Sequence, residues 1–74
     1  MSVQNLKVAI VSDVYSRDGV GVEISLDDEL VIEIFRDDTK KSRDVTLYVK
    51  DLPLEIVEAS IAIFKEKIPY DFIE

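Results

Sequence analysis

Two glutamates ten residues apart, Glu23 and Glu33, are the first residues in this chain whose type and placement could support chemistry. The runs that contain them read as adjacent strands, and matching their apolar faces sets the two carboxylates directly opposite one another with Tyr48 beside them. Paired carboxylates near a phenol can exchange protons with a substrate, as in glycoside hydrolysis. A catalytic pair needs a concave site that excludes water, whereas these residues fall on the open face of a sheet. Like charges in that position instead require solvent, a proton or a cation brought from elsewhere.

The remaining candidates are weaker. Asp27-Asp28-Glu29 and Asp37-Asp38 offer oxygen ligands without the spaced loop of a calcium site. The chain has no histidine, which removes the commonest general base and transition-metal ligand, and its serines have no histidine or well-placed lysine to activate them. Without cysteine there is neither a disulfide framework nor a thiolate metal site. No catalytic residue, metal site or cofactor is expected, and the chain does not read as an enzyme.

The elements that position these residues follow from periodicity. Leu30–Arg36 is apolar at nearly every position, rich in branched residues and bounded by acidic clusters, so it reads as a central strand covered on both faces. Before it, Leu6, Val8, Ile10 and Val14 alternate with polar residues, and Val20–Leu26 alternates without a break. Asp18-Gly19 is expected to turn the first strand into the second, and Asp27-Asp28-Glu29 the second into the third. After a polar loop over 37–44, Val45, Leu47 and Val49 mark a fourth strand. Asp51-Leu52-Pro53 opens a helix with Asp51 or Leu52 as its cap, and Leu54, Val57, Ile61, Phe64 and Ile68 form its apolar stripe. The predicted architecture is α+β: a four-stranded antiparallel meander with strands at 6–15, 20–26, 30–36 and 45–50, and a helix at 53–68 on one face. A short tail over 69–74 carries too many apolar groups for a disordered end.

In this arrangement the even-numbered residues of the first three strands face the helix, together with Val45, Leu47 and Val49. The helix-free face then carries a row Val11, Glu23, Glu33, Tyr48, flanked by Asp13, Gly21, Phe35, Thr46 on one side and Ala9, Ser25, Val31, Lys50 on the other. So much apolar area around Val11, Val31, Phe35 and Tyr48 predicts that something covers it: a second copy, the tail around Phe72 or another protein.

Seventy-four residues make one small domain, and 47% apolar composition with a third charged is a globular balance. Sixteen acids against nine bases give a net charge of −7, which disfavours nucleic acid and anionic membranes and suits a basic partner. Apolar runs such as Val8–Val11 fall far short of the ~20 residues of a membrane-spanning helix, and the chain start lacks the features of a signal peptide, so a cytoplasmic location is expected. Acids concentrate at one end of the meander, where Asp27, Asp28 and Glu29 meet Asp51, Glu55 and Glu58 with only Lys7 and Lys50 in opposition. Small size, acidity and a lack of catalytic groups are shared, as a class, with bacterial or phage inhibitors such as immunity proteins against toxins and nucleic-acid mimics. The expected role is protein binding: an inhibitor or immunity-type protein that neutralises a basic partner enzyme. The alternative is a homo-oligomeric structural or accessory protein, in its simplest form a dimer, joined through the helix-free face. An unrecognised small enzyme ranks third.

Overall fold

A computed structural model describes residues 5–73 and has one antiparallel sheet in the order β1-β2-β3-β4, followed by a single helix. The elements are β1 (Leu6–Asp13), β2 (Gly19–Leu26), β3 (Glu29–Asp37), β4 (Ser42–Leu47) and α1 (Leu54–Lys67). Every position of β3 from Val31 to Asp37 is buried, as its near-continuous apolar character requires.

The β2–β3 connection is tighter than the three acidic residues suggest. Leu26 pairs with Glu29, and Asp27 and Asp28 both take positive φ, 52° and 68°, which is the backbone of a type I′ hairpin turn. A bulge between Ile24 and Ser25 absorbs the odd residue, so Ile24 still faces Ile32 and Glu23 faces Glu33. Aspartate tolerates the left-handed region less well than glycine does. Asp28→Gly is therefore expected to stabilise the domain by roughly 0.5 to 1 kcal/mol, a Tm increase of about 2 to 8 °C, because the lost Asp28–Lys7 ion pair is largely exposed and worth little. A thermal melt that moves downward instead would show that the turn carries no such strain.

The two outer connections differ from what alternation alone indicates. The Asp13 carboxylate accepts hydrogen bonds from the backbone N–H of Tyr15 (2.8 Å) and Ser16 (3.3 Å) and from the Ser16 hydroxyl (2.8 Å). This side-chain turn stops β1 at Asp13 and makes residues 14–18 the loop, in place of a tight Asp18-Gly19 turn. Gly19 is part of β2 and its φ is not positive. Asp37 acts in the same way, accepting from Thr39 N–H (3.1 Å) and Lys40 N–H (3.0 Å), and Lys41 completes the reversal at φ 57°. As a result β4 begins at Ser42 and ends at Leu47, whereas the sequence places it at 45–50. Both edge strands are shifted by one register step from expectation. Ala9, not Val11, faces Glu23, and Thr46, not Tyr48, faces Glu33.

A helix about 10 Å across spans roughly two strands at ~4.8 Å spacing. Here α1 packs on β2 and β3, and the core is Val22, Ile24, Ile32 and Ile34 against Ile56, Phe64 and Ile68. The inward-facing apolar residues of the edge strands, Val8 and Ile10 on β1 and Val45 and Leu47 on β4, remain exposed, as does Val14 in the loop. The helix is also rotated from the expected stripe: Ile56, Ser60 and Phe64 are buried, while Leu54 is 65% and Ile61 41% exposed. Ser60 is accommodated because its hydroxyl donates to Ile56 C=O at 2.7 Å within the helix. Pro53 is the N-cap and no side chain caps the helix, so neither Asp51 nor Leu52 has that role.

The chain after α1 is clasped to the β3–β4 hairpin. Buried Arg36 donates to both Asp38 carboxylate oxygens (2.9 and 3.1 Å) and to Pro69 C=O (2.6 Å). Arg43 donates twice to Tyr70 C=O (3.0 and 2.9 Å), and its guanidinium lies 3.7 Å from the Tyr70 ring and 4.2 Å from that of Phe72. The Ile73 N–H closes the clasp onto Asp38 at 3.1 Å.

Candidate functional site: two surfaces

The helix-free face is built on the two glycines of β2. A Cβ on Gly19 or Gly21 would run into the β3 backbone carbonyl of Arg36 or Ile34, and one on Gly21 would also come within 2.9 Å of Phe35 Cδ1. Their absence lets the Phe35 ring lie down on β2. Above the ring sits the Arg17 guanidinium, 3.8 Å from the centroid, so Phe35 is fully buried between glycine backbone and arginine.

Arg17 is also the cation that the facing glutamates require. Its Nη1 and Nη2 donate to Glu33 Oε1 (2.8 Å) and Oε2 (3.2 Å), a bidentate pair, and its Nε lies 3.6 Å from Asp13 Oδ2. The hydrogen bond to Glu33 and the adjacent negative charges raise the Arg17 pKa further above its ordinary value, against the opposing effect of burial. Asp13 is held below the usual carboxylate range, first by the Tyr15 N–H and then by the Ser16 hydroxyl. The Tyr48 phenol is pushed up by desolvation and by the negative charges of Glu33 and Glu23.

Of the residues placed on this face from sequence, Val31, Glu33 and Phe35 are buried within the chain itself, Val11 and Glu23 are half-buried, and Tyr48 is exposed. Val31 and Tyr48 are held together by the Tyr48 N–H, which donates to Val31 C=O at 3.0 Å. Within the chain, the cover over Phe35 is Arg17, whereas the tail lies on Arg36 and Arg43. Arg17 lies in the loop over 14–18, where no periodicity marks it. The signal for it was the unpaired Glu23–Glu33 couple, which called for a cation, and Arg17 in the adjoining loop was in reach. With Glu33 locked in a bidentate ion pair, the face holds no free carboxylate couple for acid–base work.

The acidic end is different in kind. Asp27, Asp28 and Glu29 in the β2–β3 turn and Asp51 and Glu55 around the helix start are all exposed. They share one end of the sheet because Ile32, near the start of β3, pairs with Leu47, the last residue of β4. Among the described residues, one of these carboxylates has an ion-pair partner, Asp28 with Lys7. No group of three or more acidic side chains among the described residues is close enough to hold a metal ion. No described helix is long and apolar enough to cross a membrane.

Compared with known proteins, the chain matches no family model, no curated relative and no solved structure.

Proposed function

We propose that this chain is a small acidic protein-binding module that captures a basic partner through its acidic end, in the manner of an inhibitor or immunity-type protein. The supporting observation is the contrast between the two surfaces. On the helix-free face Phe35 and Glu33 are satisfied internally by Arg17, whereas Asp27, Glu29, Asp51 and Glu55 stand exposed without an ion-pair partner among the described residues. Such a cluster concentrates negative potential on a rigid turn and a helix start, which speeds encounter with a basic surface and disfavours acidic ones.

Charge reversal tests this reading. Asp27→Lys, Asp28→Lys and Glu29→Lys together lie in an exposed turn, so the fold should persist by circular dichroism. Association with a basic protein captured by the parent chain at low salt should slow several-fold, and the difference should shrink as salt is added. Unchanged association rates at low salt would reduce the acidic end to a solubility feature.

A further inference from the structure

We infer that α1 and the tail after it form a hinged cover that opens as one unit while the four-stranded sheet stays folded, and that the clasp over 69–73 fastens it shut. This inference is independent of the acidic-end reading.

The two parts of the cover are held in unlike ways. α1 is held by apolar packing: Ile56 and Phe64 are buried in the core, with Ile68 immediately after the helix. Among the described residues no side-chain hydrogen bond or ion pair joins α1 to a strand, since the Ser60 hydroxyl donates inside the helix and Lys67 pairs with Glu66. The polar attachments are in the tail. Arg36 donates to Pro69 C=O, Arg43 twice to Tyr70 C=O and Lys41 to Ile73 C=O (3.2 Å), while the Ile73 N–H donates to Asp38. Arg36 and Arg43 face each other in the β3–β4 register, and carbonyl oxygens of the tail accept from both.

The sheet has a hold of its own on the opposite face. Phe35 is not part of the core that Ile56, Phe64 and Ile68 build. It lies on Gly19 and Gly21 under Arg17, which ties Glu33 and Asp13 together. Side chains on the two faces of a sheet are separated by its backbone, so lifting the cover leaves this cluster and the pairing of β1 to β4 in place. The hinge is the connection over 48–53, where Lys50, Asp51 and Pro53 are exposed and no side chain caps the helix start. Opening uncovers Val22, Ile24, Ile32 and Ile34 beside Val8, Ile10, Val45 and Leu47, which are exposed already. The helix side then becomes one broad apolar face, reached without unfolding the strands.

Amide hydrogen exchange of the full chain, read residue by residue, is the test. In the parent, α1 amides should exchange faster than those of the β2–β3 ladder and with a smaller dependence on urea, because lifting the cover exposes less surface than unfolding does. Arg43→Met should speed α1 exchange about tenfold, since it removes two charge-assisted hydrogen bonds and the stacking on Tyr70 and Phe72. Tyr70→Ala keeps the carbonyl but loses one of those rings, and should act in the same direction by a smaller factor. Arg17→Met weakens the opposite face, which the open form retains. It should speed β2–β3 exchange roughly thirtyfold and α1 exchange far less. Equal rates and urea slopes for helix and ladder in the parent overturn the inference, as does an Arg17→Met chain whose helix is accelerated as much as its ladder. Unchanged α1 exchange in both Arg43→Met and Tyr70→Ala overturns the role of the clasp. If Arg17→Met fails to fold, the urea slopes of the parent decide.

Discussion

Replacing Phe35 with alanine should cost about 3 to 5 kcal/mol, through lost transfer energy and the cavity left under Arg17. For a chain of 74 residues whose whole stability is roughly 4 to 11 kcal/mol, that loss removes a large share of the stability. The ring cannot be replaced by local collapse, because Gly19 and Gly21 beneath it have no side chains to move into the space. Phe35→Asp should be more damaging still, since it buries a charge beside Glu33. Urea unfolding of Phe35→Ala is the measurement, and a midpoint that overlays the parent would mean that the ring is not packed as described.

The second large effect is expected at Arg17. Arg17→Met retains much of the stem over Phe35 but leaves the buried Glu33 carboxylate without its bidentate partner. Breaking a fully buried pair costs about 3 to 5 kcal/mol; with the Arg17 side chain 35% exposed, solvent screens the pair and the expected loss falls to about 2 to 3 kcal/mol. A double-mutant cycle with Glu33→Gln separates the pair from the cation–π contact. Removing Arg17 should hurt far less when Glu33 is already neutral. Strictly additive losses would show that the two side chains are not coupled, and that Arg17 acts through Phe35 and Asp13.

Which strands exist, which neighbours they take and which side faces the helix were legible in the sequence, because each rests on period-two alternation and short connections. The β2–β3 register was legible too, although for an incomplete reason: a two-residue turn plus a bulge has the same downstream pairing as the three-residue turn read from Asp27-Asp28-Glu29. The outer registers were not, since Asp13 and Asp37 end their strands through hydrogen bonds from their own side chains to nearby backbone, which no hydrophobic pattern records. The helix face was ambiguous for a related reason. Phe64 belongs both to the stripe Leu54-Val57-Ile61 and to the face Ile56-Ser60, and the choice turned on Ser60 satisfying its hydroxyl inside the helix.

Of the candidate surfaces, the acidic turn could be placed from sequence because a hairpin tip is exposed whatever its register. On the helix-free face the central pairs were legible, Gly21 beside Phe35 and Glu23 beside Glu33, but their edge-strand neighbours were expected one register step away and the cover was not legible. Its roof is one side chain arriving from a loop, and loop side chains have no periodicity to read.

The nearest-neighbour order of the strands has a kinetic consequence. The strands are joined by connections of five, two and four residues, so each pairing closes a small loop at little entropic cost. Assembly can zip outward in both directions from the Asp27-Asp28 turn without waiting for a distant segment. The exceptions are helix docking and the clasp, where Arg43 meets Tyr70 across 27 positions and Arg36 meets Pro69 across 33. These are the only slow closures such a topology demands of the described chain. Val22, Ile24, Ile32 and Ile34 have no apolar cover until the helix docks, so a variant in which docking lags behind sheet formation is expected to expose them to aggregation for that interval.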